Sequence, residues 1–128
     1  AKAWSTWEAH ASTLHPDTRL IRHFSDGSRA HARCLIATHY FKNQCFLEPD
    51  QLLKNASVLK DIPGIVVHGR FDCVSPLNNA HQLRKAWPTS QLYIVREAGH
   101  SATEPAMIDA LIRATRDMAL RFEVDFHV

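Results

Sequence analysis

Gly64-Ile65-Val66-Val67-His68-Gly69-Arg70-Phe71-Asp72 is the stretch from which the rest of the chain can be read. Its apolar, largely β-branched run leads straight into Gly69, and a carboxylate follows three positions later. A short apolar run ending in glycine has the pattern of a strand covered on both faces, as parallel strands are. Asp72 then falls in the loop just past the strand's C-terminal end, the edge at which open α/β sheets collect their functional groups. A second run, Gln91-Leu92-Tyr93-Ile94-Val95, leads in the same way through Ala98-Gly99 to His100. Two strands that each deliver one titratable residue at the same edge create an Asp–His pair, in which the carboxylate can orient an imidazole. Either residue alone would pass as an ordinary polar loop group. Both placements together, with Asp before His, favour catalysis.

The order carries chemical content. Where a hydrolase has its nucleophile on a strand–helix elbow, the triad runs nucleophile, acid, histidine. Asp72 and His100 would be the second and third members, and the nucleophile belongs N-terminal to Asp72. No Gly-x-Ser-x-Gly occurs in the chain, and Gly27-Ser28 lies in the turn-like Ser25-Asp26-Gly27-Ser28, which follows no strand. The expectation is therefore the C-terminal part of a longer enzyme, and a start at Ala1 without methionine fits it. The two strands supply a separate argument, because a parallel sheet needs helices on both faces and neighbours at its edges.

Upstream of Ile62-Pro63 the pattern is helical. Trp4, Trp7, Ala11 and Leu14 recur at spacings of three and four, predicting a helix over residues 1 to about 14 with those side chains inward. Spacing alone leaves Glu8 as a solvated helix carboxylate. Pro16-Asp17 breaks that helix, and Ser25-Asp26-Gly27-Ser28 is a turn with an N-cap candidate for a longer one whose buried face would be Ala32, Leu35, Ile36, His39 and Tyr40. Glu48-Pro49-Asp50 restarts the chain into a helix burying Leu52, Leu53, Ala56 and Leu59. Downstream, Ser75-Pro76 reads as an N-cap and first-turn pair for a helix that Pro88 stops. The last helix starts near Glu104-Pro105 and turns Ile108, Leu111, Ile112, Thr115, Ala119 and Phe122 inward. Strand, helix, strand in that order is a right-handed crossover between parallel strands.

Composition narrows the function classes. The 128 residues are 45% hydrophobic and carry a formal charge of +2, with 15 basic side chains scattered rather than striped. Nucleic acid is not indicated by such a distribution. No apolar run approaches the ~20 residues that span a bilayer, which argues against a membrane partner. Cys34, Cys45 and Cys73 are odd in number and lack Cys-x-x-Cys spacing, which favours reduced thiols and a cytoplasmic setting. Cys73, beside Asp72, reads as a loop-packing residue. Nine histidines form no metal-ligand motif, so neither a metal nor any other cofactor is expected.

Three motifs then suggest a family. His68-Gly69-Arg70-Phe71-Asp72, Lys85-Ala86-Trp87-Pro88 and Ala98-Gly99-His100-Ser101 resemble the closing half of proline iminopeptidases, serine peptidases of the α/β-hydrolase fold. Trp4-Ser5-Thr6-Trp7-Glu8 and His39-Tyr40-Phe41 resemble motifs of that family's helical cap. The resemblance runs through the whole chain in the right order. It implies a partial helical cap over residues 1–57 and the C-terminal part of an α/β-hydrolase core over 58–128. It further implies release of an N-terminal proline from a peptide through an acyl-enzyme. Asp72 would orient His100, and the serine and oxyanion hole would come from a missing N-terminal part of the same enzyme. Glu8 would hold the substrate's free α-amino group. Two positions before His-Tyr-Phe the family places a second carboxylate, where this chain has Ala37, and strict aminopeptidase specificity is thereby in question. Another α/β-hydrolase, such as an esterase, or a non-catalytic binding module on the same scaffold, would share the Asp–His signature.

Overall fold

The computed structural model describes residues 1–124. Helices fill the first half: α1 (Lys2–Ala11), α2 (Thr18–Ser25), α3 (Gly27–Lys42) and the short α4 (Gln51–Asn55). Single 3-10 turns at Gln44–Phe46 and Ala56–Leu59 flank α4. The second half runs β1 (Gly64–Gly69), α5 (Leu77–Ala86), β2 (Ser90–Val95) and α6 (Pro105–Val124). The architecture is mixed α/β with a small parallel sheet.

Local chemistry explains most boundaries. Asp17 caps α2 by accepting the backbone N–H groups of Arg19 and Leu20, and Asp26 caps α3 by accepting that of Arg29. The Ser28 hydroxyl and the Arg29 N–H hold the Asp26 carboxyl below the ordinary aspartate range. The first helix stops at Ala11 rather than near residue 14, and the Ser12 hydroxyl folds back onto the Glu8 carbonyl at 2.7 Å. Pro76 occupies the cap position of α5 rather than its first turn, because the Ser75 N–H is turned back onto Asp72. Gln44, Cys45 and Phe46 all have φ between 51° and 58°, a left-handed turn built without glycine.

β1 and β2 pair in parallel from Gly64 opposite Ser90 to Gly69 opposite Val95. Ile65 and Val67 face α6 across a crevice shared with Ala114 and Met118. Strand alternation turns Val66 and His68 to the other face. Gly64 is required by the Trp87 ring, since a Cβ there would lie 2.1 Å from it. The interior residues of β1 are half-buried rather than covered on both faces.

The buried faces of the helices differ from the expected ones in a consistent way. In α1 the buried residues are Ser5 and Ala9, with Ser12 following, while Trp4 and Trp7 are exposed. In α3 Ala30 is buried and Leu35, Ile36 and Tyr40 are exposed; in α6 Met107, Ala110 and Ala114 are buried, with Ile108, Ile112 and Phe122 exposed. Leu52 is exposed too, and Ala56 takes its expected place inside. Small side chains let the helices approach closely, as at Ser5 Oγ and Cys34 Sγ, 3.7 Å apart. The large apolar side chains on the same helices stay largely exposed: Trp4 and Trp7 lie against each other with ring centroids 5.4 Å apart, and Tyr40 meets Phe46 edge-on at 5.5 Å. The accessible surface is 9402 Å², whereas a compact monomer of this mass exposes about 6,900 Å².

Candidate active site

Two loops, each leaving the C-terminal end of a strand, build the site. The β1 loop returns Asp72 toward the sheet through the Arg70 N–H on the Val95 carbonyl (2.9 Å) and the Phe71 N–H on the Ala98 carbonyl (3.0 Å). Gly69 makes this approach possible, because a Cβ there would lie 1.9 Å from the Gly99 carbonyl oxygen. Asp72 and His100, 28 residues apart in sequence, meet with Nδ1 of His100 3.0 Å from Oδ2 of Asp72. The aspartate side chain is 5% exposed and the imidazole 42%. The carboxylate is thus sequestered while the ring opens to solvent.

Both carboxylate oxygens of Asp72 are engaged. Oδ1 accepts the backbone N–H groups of Val74 (2.9 Å) and Ser75 (2.7 Å). Oδ2 faces His100, and Nε2 of His68 approaches it at 3.5 Å. The same His68 nitrogen lies 2.9 Å from the Ser75 carbonyl oxygen. A carbonyl only accepts, so His68 carries its proton on Nε2. With Nδ1–H of His100 donated to Asp72, its Nε2 is left with a lone pair that can take a proton.

The histidine loop is anchored to α1 through residues whose role the sequence hid. The Ser12 carbonyl accepts the N–H groups of both His100 (3.0 Å) and Ser101 (2.7 Å). Glu104, placed by the sequence near the start of the last helix, is 9% exposed and works as a clamp. Its Oε1 accepts the Gly99 N–H at 2.6 Å and its Oε2 the Leu14 N–H at 2.8 Å. The partners lie 5 and 90 residues away, and only the Glu104-Pro105 helix start was a local signal. An open cavity of about 280 Å³ fronts His68, Asp72 and His100.

Glu8 lies in a neighbouring depression with Trp4, Trp7 and Phe41, against Cys73 and Val74 of the Asp72 loop. The helical half therefore reaches the same loop as the aspartate. Glu8 does not contact Asp72 or His100; its Oε2 is paired with the Arg33 guanidinium from α3, which also stacks over Phe24 with Cζ 3.9 Å from the ring centroid. Ala37 is half-buried, one turn beyond Arg33, and shares a second depression with Trp4 and Phe41. Cys73 is exposed rather than packed, and all three cysteines are free thiols. Among the described residues no three His, Cys, Asp or Glu side chains converge as a metal site. No described helix is long and apolar enough to cross a membrane.

No protein-family model matches the chain. It is similar over almost its whole length to curated proline iminopeptidases. That of Xanthomonas citri is 50% identical over 120 residues, covering 93% of this chain and 38% of the relative. That of Xylella fastidiosa strain Temecula1 is 49% identical over 90% of this chain and 37% of its own length. That of Arabidopsis thaliana is 37% identical over 92% of this chain and 31% of its own. The chain thus spans a little over a third of the length of these bacterial relatives.

Proposed function

We propose, from homology to proline iminopeptidases across nine tenths of the chain, that this segment is the C-terminal part of a serine hydrolase of that type. In this reading residues 1–57 belong to a helical cap and residues 58–128 to an α/β-hydrolase core. The substrate is a peptide with a free N-terminal proline. The observation that carries the reading is the Asp72–His100 contact on loops that leave two parallel strands at the same edge.

Asp72 holds the His100 ring with its proton on Nδ1, so Nε2 removes the proton of a serine supplied by the N-terminal part of the enzyme. The serine oxygen attacks the prolyl carbonyl, and the imidazolium then protonates the departing amine. Water repeats the sequence to release proline, with His100 again as base and then acid. Buried Asp72 stabilises the imidazolium at both stages without itself taking the proton. Glu8, in the depression beside the Asp72 loop, accepts a hydrogen bond from the substrate ammonium. The exposed Trp4, Trp7, Ile108 and Ile112, and the surface in excess of a compact monomer, suit burial against the N-terminal part. Three free thiols suit a reducing, cytoplasmic compartment.

The test is hydrolysis of proline p-nitroanilide by the complete enzyme carrying this segment. Turnover abolished by a serine-directed inhibitor is expected, and the 128-residue chain alone should show none, since it brings no nucleophile elbow. Inactivity of the complete enzyme, or turnover indifferent to the inhibitor, would overturn the reading.

A further inference from the structure

The Glu8 depression holds one carboxylate and no second acid among its lining residues, and that carboxylate is already matched by a cation. Arg33 reaches it from α3, across 25 residues of sequence, with its guanidinium over the Phe24 ring. Both side chains are about a third exposed, so the pair is neither lost to bulk water nor sealed from an incoming ligand. The walls are Trp4, Trp7, Phe41 and Val74, which offer little competing solvation. Charge summed over the pair is zero. One oxygen of Glu8, Oε2, is taken, and Oε1 has no hydrogen-bond partner among the described residues.

We propose that Arg33 is a specificity-determining residue that offsets Glu8 and relaxes the requirement for a positively charged substrate amine. The inference rests on the reading of Glu8 as the group facing that amine. An ammonium entering the depression meets a carboxylate whose field is cancelled at close range by a guanidinium, which cannot lose its proton. It gains one hydrogen bond to Oε1 and little net Coulomb attraction. A neutral N-acyl group in the same place gives up less hydration and meets apolar walls. The depression therefore discriminates weakly between prolyl compounds with free and with acylated nitrogen. Ala37 sits one turn from Arg33 on the same helix and supplies no acid to draw the guanidinium away from Glu8.

The experiment compares kcat/KM for proline p-nitroanilide with kcat/KM for N-acetylproline p-nitroanilide in the complete enzyme, its Arg33→Met variant and its Arg33→Lys variant. The ratio of the two constants is taken within each protein, so a loss of folded fraction cancels. Met keeps an apolar stem against Phe24 and removes the charge; the ratio should rise about ten-fold or more, the scale of one charge-assisted hydrogen bond. Lys keeps the charge and should leave the ratio near that of the parent. An unchanged or lowered ratio in Arg33→Met, or an equal rise in Arg33→Lys, would overturn the proposal. Should the parent hydrolyse neither anilide, the functional reading fails separately. The inference is then read by equilibrium binding of prolinamide and N-acetylprolinamide. A preference for prolinamide that strengthens in Arg33→Met supports it; equal preference in both proteins, or binding of neither compound, overturns it.

Discussion

Asp72 has both carboxylate oxygens engaged, one by two main-chain N–H groups and the other by His100. Glu8 is held through one oxygen by a single side chain, Arg33. The difference extends to the elements around them. The Asp72 and His100 loops are tied by main-chain bonds to each other, to Ser12 and to Glu104, and Gly69 brings their backbones into contact. The helices that carry Glu8 and Arg33 touch at Ser5 and Cys34, bury Ser5, Ala9 and Ala30, and leave Trp4 and Trp7 exposed. Groups whose geometry must hold to a fraction of an ångström are positioned by backbone, which has few soft degrees of freedom. The groups proposed to select among substrates, Glu8 and Arg33, are positioned by side chains on helix faces, where a single substitution changes charge without moving the fold.

The contrast breaks most severely at the proposed catalytic pair. In the complete enzyme His100→Ala should lower turnover by about 10⁴-fold or more. Asp72→Asn should cost about as much for a specific reason. If the amide oxygen keeps the Val74 and Ser75 N–H groups, its NH₂ faces Nδ1 of His100 and drives the ring proton to Nε2. Steady-state kinetics with matched melting curves separate this from unfolding. Near-normal turnover in either variant would remove the assignment.

A second, smaller effect tests whether backbone anchoring matters. Glu104→Ala leaves the Gly99 and Leu14 N–H groups without their acceptor. The expected loss is about 2–4 kcal/mol of stability, with turnover falling beyond what the folded fraction explains. Glu104→Gln should recover only part, because an amide NH₂ at either oxygen position would face an N–H. Denaturant melts read the first effect, and turnover per folded molecule the second.

On the helical side, Ala37→Glu adds a carboxylate one turn from Arg33, where it can draw the guanidinium away from Glu8. Free-amine substrates should gain roughly ten-fold in kcat/KM over N-acetylated ones. Equal changes for both substrates, or a large melting loss without selectivity, would return Ala37 to a packing role. The smallest expected effect lies in the turn after α3. Cys45 has φ of 55°, a conformation that costs an L-residue with a Cβ. Cys45→Gly should raise stability by about 1 kcal/mol with kinetics untouched; a lower melting temperature would contradict this account of the turn.

How much of this was legible in sequence follows the same division. Both strands, the crossover helix and the meeting of Asp72 with His100 were readable, because an apolar run ending in glycine fixes where a loop residue emerges from a parallel sheet. The helix faces were not. Hydrophobic periodicity marks side chains with a tendency to be buried, and Trp4, Trp7, Leu35 and Ile112 have that tendency yet stay exposed here. The residues buried instead, Ser5, Ala9 and Ala30, are small and carry little weight in any apolar pattern. The clamp role of Glu104 was not legible because its two bonds depend on tertiary placement. The Glu8–Arg33 pair lies across two helices and has no sequence spacing that would announce it.

The central claim is that Asp72 sets the proton position on His100, and the tautomer of that imidazole tests it most directly. Long-range proton–nitrogen NMR on protein with labelled histidine, at a pH where the ring is neutral, distinguishes the two nitrogens. The account requires the proton on Nδ1 and a bare Nε2 in the parent, with the pattern reversed in Asp72→Asn. A neutral His100 carrying its proton on Nε2, or a tautomer indifferent to the Asp72 substitution, would contradict it.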